Sequence, residues 1–376
     1  MVRARGSVGD GSKLKSQRRL ALSMSAAPSD PVLVRRVGNI AVVTINNPPF
    51  NVLTTPVVDG LAGAVVELTR DATVRAIVIT GSGDKAFSSG ANVKEMASLG
   101  PEEAARYSSK GQALTNLIER APVPVIAAVR GYCLGGGCEL SLSCDFIVAA
   151  EDAQFAQPEI NIGVIPGWGG SRRLTRAIGV ARARHWIFTG QKFSAAHAYA
   201  DGLVHSVVPP KKLLEEAIGL AQQLASKGAL AMAAAKYAVN QASDATRLLG
   251  LEYERDLWQI LFSSHDQKEG MGAFLDKRPA QFTDRVDWDR MRRGQPWKNS
   301  TDAFDEASRE AQLVVRDKGQ GVLSTGYSAE GAELLNQMLT LSVESFNTYQ
   351  KLVEETWRAA MAPFLLPARN RNGTRA

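Results

Sequence analysis

Cysteine and histidine, the usual ligands of structural zinc, are scarce in this chain. Three cysteines and four histidines occur among its 376 residues. The cysteines follow a C-x4-C-x5-C pattern without the paired short spacing of zinc sites, and the histidines lie outside every motif described below. We therefore expect no metal site. The cysteines are interpreted as small apolar side chains of a core, at Cys133, Cys138 and Cys144. The histidines are interpreted as surface or helix-face residues, at His185, His197, His205 and His265.

A long apolar run is also missing, and no stretch is long enough to cross a bilayer. The net positive charge of the chain comes from its two ends. Residues 1–24 carry six Lys or Arg against Asp10, and Arg369, Arg371 and Arg375 are unopposed. These tails carry +8 in a chain of net charge +6, so the body between them is near −2. The net positive charge therefore does not predict a nucleic-acid-binding surface on the folded body.

Residues 1–30 are rich in Arg, Lys and Ser and lack periodicity, so they are predicted to form a disordered basic extension. The same composition is typical of a mitochondrial presequence, which would direct the protein to the matrix. The alternative is an upstream start codon, with Met24 as the working N-terminus. We favour the interpretation in which Met24 is the working N-terminus. The odd number of cysteines and the lack of a signal peptide fit a reducing compartment, so a cytoplasmic protein is expected.

From residue 31 onward, apolar β-type runs alternate with helical periodicity, which predicts an α/β fold of packed βα units. Strands are predicted at residues 41–45, 76–80, 123–129 and 146–150. Helices are predicted at residues 55–70, 101–120, 136–143, 213–227 and 230–242.

Residues 284–376 are predicted to form a helical extension, with one helix over 302–318 and a longer one from Ser328 to about residue 361. The apolar residues of the longer helix step by three or four and form one stripe. That stripe either packs against the body as a helical hairpin or docks a second subunit or another protein. A Gly-x-Gly-x-x-Ser stretch at 319–324 has no preceding strand and too little chain around it for a Rossmann domain, so no dehydrogenase is expected.

Two glutamates, each bracketed by glycines and prolines, are the most informative feature of the sequence. Glu139 follows the glycines 135–137, and Glu159 follows Pro158 shortly before a Gly-rich turn at 166–170. Glycine turns expose main-chain N–H groups, which stabilise negative charge developing on a carbonyl oxygen. Two carboxylates allow acid and base work to be divided between them. The pattern predicts an active site for chemistry beside a carbonyl group.

A third segment, residues 85–96, follows a predicted strand and contains small residues that let a ligand approach the main chain. Two more segments belong to the same pattern: the strand and turn at 42–53 and the late run at 269–279. Together, these three segments make the chain resemble the enoyl-CoA hydratase (crotonase) family from about Val32 to Phe282. The resemblance implies a crotonase-like spiral of ββα units over residues 31–283. It also implies a helical C-terminal part at about 194–282 that carries the contacts of a homotrimer or hexamer.

By the same resemblance, the main-chain amides of Ala91 and Gly136 form an oxyanion hole. Glu139 activates water as the base, and Glu159 delivers a proton at C2. Gly167 is similar to the family glycine whose amide helps to position the catalytic water. The bulky Trp168 beside it is interpreted as part of the acyl pocket or of the core.

The CoA part of the substrate is expected to lie along one segment and to reach a late pair of residues. The resemblance places these contacts at Ser89, Ala91, Asn92, Val93 and Lys94, and at Phe274 and Lys277, near a subunit boundary. Family members often have Asp in place of Asn92, and many have Lys in place of Pro48. The Pro48-Pro49 form resembles the hydratase part of multifunctional β-oxidation enzymes and some ring-acyl-CoA hydratases. CoA is part of the substrate, and no separate cofactor is expected.

The expected activity is that of a hydro-lyase: reversible addition of water to a 2-enoyl-CoA, giving a 3-hydroxyacyl-CoA in fatty-acid or related acyl-CoA degradation. On the same fold, the alternatives are an isomerase of 3-enoyl-CoA to 2-enoyl-CoA, a ring-acyl-CoA hydratase and a thioester hydrolase. An isomerase needs no water-activating base, so the second glutamate favours hydration. Alternatives of another class are an RNA-binding protein and a scaffold protein built on a hydratase fold. The first would need basic residues on the folded body.

Overall fold

A computed structural model of the chain describes residues 30–242 and 247–286. The predicted N-terminal extension, except Asp30, lies outside the described residues. So does the predicted C-terminal extension beyond residue 286, with its helices at 302–318 and 328–361. Within the described ranges, no helix has both the length and the hydropathy needed to cross a membrane.

In the part of the chain that the structure describes, ten strands form two sheets. They are β1 (Val32–Val37), β2 (Ile40–Ile45), β3 (Ala76–Gly81), β4 (Ala86–Ser88), β5 (Val125–Val129), β6 (Tyr132–Leu134), β7 (Phe146–Ala150), β8 (Gln154–Ala156), β9 (Phe193–Ser194) and β10 (Ser206–Val208). The large sheet has the order β1-β2-β3-β5-β7-β10 and is parallel except for the β1–β2 hairpin. The small sheet has the order β4-β6-β8-β9 and is parallel except for the β8–β9 pair.

Among the described residues, ten α-helices follow or connect these strands. They are α1 (Thr55–Arg70), α2 (Val93–Met96), α3 (Pro101–Glu119), α4 (Gly136–Leu142), α5 (Gly170–Thr189), α6 (Ala195–Ala200), α7 (Leu213–Ala225), α8 (Ala229–Gln241), α9 (Arg247–Leu261) and α10 (His265–Leu275). Short 3-10 helices occupy Pro158–Ile162 and Pro210–Lys212.

Each turn of the chain places one strand in the large sheet, the next strand in the small sheet, and then a helix. This sequence is followed by β3, β4 and α2, and then by β5, β6 and α4. β7 and β8 repeat it, followed by a 3-10 helix and α5. The predicted α/β fold with a spiral of ββα units is confirmed. Because β4, β6 and β8 are parallel neighbours, the segments that leave their carboxyl ends meet at one edge of the small sheet.

The large sheet is covered on both faces, because side chains alternate along each strand. On β3, Ile77 and Ile79 pack into a core shared with α1, α3 and the small sheet. Ala76 and Val78 point to the opposite face, where α7 covers them. The helix places small or apolar residues one turn apart against the sheet, at Leu213, Ala217, Ala221 and Ala225.

The predicted strands and helices appear at their expected places, with shifts at some ends. The strand predicted from residue 123 begins at Val125, since Pro124 has no N–H to donate to the ladder. The part predicted as helical, 194–282, also contains β10, which adds a parallel edge strand beside β7. Three residues are too few to show the period-two pattern of a strand. The short strands of the small sheet were missed for the same reason.

Candidate active site

The three Gly-rich segments meet at the edge of the small sheet. The loop after β4 contains Ala91, α4 after β6 contains Glu139, and the 3-10 helix after β8 contains Glu159. Leu134 and Ala156 are register partners at the ends of β6 and β8. This pairing explains why two carboxylates twenty residues apart in sequence reach the same site.

Glu139 lies in the first turn of α4 and is 2% exposed. Its Oε1 accepts hydrogen bonds from the main-chain N–H groups of Trp168 and Gly170, both at 2.7 Å. Gly170 must lack a side chain, because a Cβ there would lie 2.9 Å from Glu139 Oε1. The carboxylate is therefore fixed from one side by the start of α5.

Glu159 is half-buried and lies over Gly135. A Cβ on Gly135 would lie 3.0 Å from Glu159 Oε1, and this residue also has a φ of 51°, which favours glycine. Gly135 donates to the Ala156 carbonyl at 3.0 Å, so the start of α4 is tied to the end of β8. The amide of the buried Gln157 faces Glu159, and with its nitrogen assigned to that side it donates to the two carboxyl oxygens at 3.1 and 3.2 Å.

Burial raises the pKa of both glutamates, but their surroundings differ. Burial and then the negative charge of Glu139 raise the pKa of Glu159 to about 7. For Glu139, burial also raises the pKa, and the N–H groups of Gly170 and Trp168 and the charge of Arg173 oppose this rise. Near neutral pH, Glu159 is thus able to hold or release a proton. Glu139 keeps two donors that stabilise its ionised form.

The main-chain nitrogens of Ala91 and Gly136 lie beside each other. A Cβ on Gly136 would lie 3.2 Å from the Ala91 nitrogen, and a Cβ on Gly90 would lie 3.1 Å from the Gly136 nitrogen. Gly136 is the first residue of α4, where N–H groups have no acceptor within the helix. The positive end of the helix dipole adds to the attraction for negative charge. The arrangement is geometrically able to hold an oxyanion.

The turn of Gly167 and Trp168 is bound to α3. The Gly167 carbonyl accepts from Ser108 Oγ at 2.6 Å and from Gln112 Nε2 at 3.0 Å. Thr115 Oγ1 donates to the Trp168 carbonyl at 2.9 Å. These bonds use the carbonyl groups, so the turn is fixed without using the N–H group assigned to the water.

The predicted CoA-binding segment lies at the rim of the site. Ser89 donates its N–H to the Phe50 carbonyl at 2.9 Å, and Asn92 caps α2 by accepting from the Lys94 N–H at 3.1 Å. Val93 and Lys94 are exposed. Phe274 is 82% exposed and Lys277 is also exposed, at the end of α10. Across the described ranges, no hydrogen bond or ion pair joins these two late residues to the segment at 89–94.

The three cysteines are free, and Cys133 and Cys138 are fully buried, as expected for core residues. A hydrogen bond to Cys133 and burial raise the pKa of the Cys138 thiol well above its usual value. A thiol kept protonated is a poor nucleophile, although Cys138 is next to Glu139 in sequence. All four histidines have exposed side chains.

Several residues of the site were missed from the sequence. Arg173 is 6% exposed, donates to the Trp168 carbonyl at 2.9 Å and pairs with Glu119 at 2.8 Å. Its position just after the Gly-rich turn was the only local signal. Ser108 and Gln112 belong to α3 and carry no sequence signal, because only the fold brings them to Gly167.

A known protein family matches most of this chain. The model of the family described as enoyl-CoA hydratase/isomerase matches residues 35–285. The chain belongs to the enoyl-CoA hydratase/isomerase family. The resemblance inferred from the motifs is therefore confirmed.

Relatives in the enoyl-CoA hydratase/isomerase family cover the same part of the chain. A probable enoyl-CoA hydratase of Rhizobium meliloti (strain 1021) is 46% identical over 257 residues, 68% of this chain and 99% of the relative. The crotonyl-CoA hydratase of Syntrophomonas wolfei is 40% identical over 252 residues, 67% of this chain and 97% of the relative. The crystal structure of enoyl-CoA hydratase from Bacillus anthracis is 36% identical, with a TM-score of 0.65, and covers 67% of this chain and 98% of that one.

Proposed function

We propose that this protein is an enoyl-CoA hydratase, which reversibly adds water to a 2-enoyl-CoA and gives a 3-hydroxyacyl-CoA in acyl-CoA degradation. The observation that carries the proposal is the pair Glu139 and Glu159 beside the adjacent nitrogens of Ala91 and Gly136. Family membership and relatives named as hydratases support it. An isomerase would need only one proton carrier, whereas a buried and a half-buried carboxyl with different surroundings suit the addition of water.

In the proposed reaction, the thioester carbonyl accepts hydrogen bonds from the N–H groups of Ala91 and Gly136. Glu139 takes a proton from water while the water oxygen bonds to C3. The electrons of the C2=C3 bond move toward the carbonyl, where the two N–H groups stabilise the enolate. Glu159 then gives its proton to C2, and proton exchange restores both glutamates. The Gly167 N–H helps to hold the water, and dehydration follows the same steps in reverse.

The raised pKa values fit these roles. Glu159, with a pKa of about 7, holds a proton that it is able to give at neutral pH. Glu139 accepts two main-chain N–H groups, which favour the ionised form that a base needs. Each step uses groups of this chain, and CoA enters as part of the substrate.

For the CoA moiety we propose the segment Ser89–Lys94, whose exposed residues line the rim of the site. Phe274 and Lys277 would contact the nucleotide of a neighbouring subunit. Their exposure at the end of α10 supports this proposal, since no part of the described chain covers them.

We further propose that the protein is a homotrimer or hexamer. Large apolar side chains that are half or more exposed in the single chain support assembly, among them Ile162, Ile165, Phe188, Phe274 and Leu275. Free cysteines fit a reducing compartment, so we propose the cytoplasm. The mitochondrial matrix is the alternative if residues 1–23 act as a presequence.

The proposal is tested by following the ultraviolet absorbance of the conjugated thioester of crotonyl-CoA with the purified protein. We expect hydration by the wild type. Glu139→Gln and Glu159→Gln should each lower kcat by about 10²–10⁴-fold, because each removes one acid–base group. CoA-ester binding, measured by calorimetry, should be largely kept. Glu151→Gln changes an exposed glutamate in the turn between β7 and β8 and is the matched control.

Near-normal hydration by either site variant would contradict the two-carboxylate mechanism. A Glu139→Gln protein that loses hydration but keeps 3-enoyl to 2-enoyl isomerisation would support the division of roles. Including a cyclic dienoyl-CoA in the assay distinguishes a ring-acyl-CoA hydratase, which would prefer it to crotonyl-CoA.

A further inference from the structure

The indole of Trp168 lies directly beside the proposed oxyanion site. The side chain is 3% exposed, and a Cβ on Gly136 would lie 3.2 Å from Trp168 Cζ3 and 3.3 Å from Cε3. The Trp168 N–H is bound to Glu139 Oε1 and its carbonyl to Thr115 and Arg173. The Trp168 main chain is thus held at its N–H and at its carbonyl, and the N–H contact also holds the catalytic base.

The ring is also packed closely against a neighbouring helix. On its far side lies α3, where Gly111 leaves a gap that the indole fills. A Cβ on Gly111 would lie 2.1–2.2 Å from three atoms of the indole. One turn earlier on α3, the Tyr107 ring contacts it, with 6.0 Å between ring centroids and an interplanar angle of 44°. The indole is thus wedged between α3 and the start of α4.

The proposed reaction determines where the acyl chain runs. The carbonyl oxygen lies at the nitrogens of Ala91 and Gly136, and C3 must lie within reach of both Glu139 and Glu159. The carbonyl, C2 and C3 of a conjugated enoyl thioester are coplanar, so the chain beyond C3 continues in a direction set by these anchors. Trp168 supplies apolar surface next to Gly136 and Glu139, and we place the acyl chain against it.

We propose that the Trp168 indole closes the acyl site beyond the first carbons after C3, so that short, unbranched 2-enoyl thioesters are the preferred substrates. This inference rests on the proposed hydratase function. Gly111 and Tyr107 are positioning residues, because they hold the ring rather than contact the substrate's reacting atoms. A fixed ring excludes longer chains sterically, and a smaller side chain at position 168 would open the space it fills.

The test compares kcat/KM for trans-2-decenoyl-CoA with kcat/KM for crotonyl-CoA. We expect the wild type to prefer crotonyl-CoA. Trp168→Ala and the more conservative Trp168→Phe should raise the decenoyl/crotonyl ratio, with an increase of about tenfold or more for Trp168→Ala, the scale on which pocket size discriminates methylene groups. Trp186→Phe is the matched control, because Trp186 is fully buried and stacks on Phe193 at 4.2 Å in another part of the core.

The inference is overturned if the wild type hydrates both esters equally well, or if neither Trp168 variant changes the ratio. A Trp186→Phe protein with the same shift would also overturn it, since the effect would then come from loosening the core. If Trp168→Ala does not fold, Trp168→Phe decides.

Binding of the saturated esters separates this inference from the proposed function. Butyryl-CoA should bind the wild type more tightly than decanoyl-CoA does, and Trp168→Phe should reduce that difference. If the wild type hydrates no enoyl-CoA, the hydratase proposal fails, and the two dissociation constants still show whether the indole limits the acyl chain. Equal changes in the dissociation constants of both saturated esters would contradict the proposal that the indole limits the length of the acyl chain.

Discussion

Burying Glu159 next to Glu139 costs free energy of folding whenever both carboxyls are ionised. The unfolded chain would ionise Glu159 near the ordinary glutamate pKa of 4.5, whereas the folded protein holds it at about 7. Between these two values the folded state binds more protons than the unfolded state, so the free energy of unfolding falls as the pH rises. Above the folded pKa, the destabilisation is fully present.

Because of this cost, we expect Glu159→Gln to increase the free energy of unfolding by an amount that depends on pH. At pH 5 the variant and the wild type should differ little, because the wild-type carboxyl is mostly protonated when folded. At pH 8 the variant should gain stability relative to the wild type, by up to about 3 kcal/mol for a shift of this size. Urea unfolding at both pH values measures the difference. A gain of equal size at pH 5 would show that its source is not the ionisation of Glu159.

At the scale of elements, α3 and α5 are joined through one buried arginine. Arg173 of α5 donates to Glu119 Oε2 through Nη2 at 2.8 Å and to Asn116 Oδ1 at 2.7 Å, both at the end of α3. It also binds the Trp168 carbonyl. The neighbouring Arg176 contacts the other oxygen of Glu119 at 3.2 Å, but its side chain is 31% exposed against 6% for Arg173. The two arginines share one partner and differ in burial.

This difference predicts unequal losses of stability. Arg173→Met leaves Glu119 without its buried partner and should cost about 3–5 kcal/mol, as is typical when one member of a buried pair is removed. Arg176→Met removes a more exposed contact and should cost at most about 1 kcal/mol. Equilibrium denaturation of both variants provides the comparison. Equal losses would mean that burial does not determine the strength of these pairs.

The long elements could be predicted from the sequence because their patterns are local. The apolar run of β3 and the periodicity of α1 are complete within each segment. The small sheet could not be predicted, since its strands have two or three residues and are stabilised by pairing with one another. Glu139 and Glu159 could be proposed from the sequence because glycines and prolines surround them. Arg173, whose charge opposes the rise in the pKa of Glu139, became visible only when α3 and α5 packed together.

At the scale of the molecule, the described chain is a spiral of ββα units followed by helices with exposed apolar residues. All residues proposed for the chemistry lie between Ala91 and Gly167, and the described chain continues to residue 286. Val164 and Ile165 are 48% and 68% exposed just before the Gly-rich turn, so a subunit interface there would lie close to the site. Assembly and activity are therefore expected to be linked through the described part of the chain.

Removal of residues 287–376 should leave hydration intact, because no group assigned to the reaction lies there. The truncated protein should also keep a trimeric or hexameric mass if its exposed apolar residues form the interface. Light scattering and the crotonyl-CoA assay, on truncated and full-length proteins side by side, measure both properties. A soluble truncated protein with unchanged mass but no turnover would show that the removed segment contributes to the active site.

The gap at Gly111 also restricts how this protein is able to evolve. While the indole of Trp168 fills that gap, even a single methyl group at position 111 collides with it. A larger residue at 111 becomes acceptable only after position 168 has lost its bulk. The two positions are therefore epistatic, and their substitutions are accessible in one order and blocked in the other. A selection for altered acyl preference should recover changes at 168 first and changes at 111 only in that background.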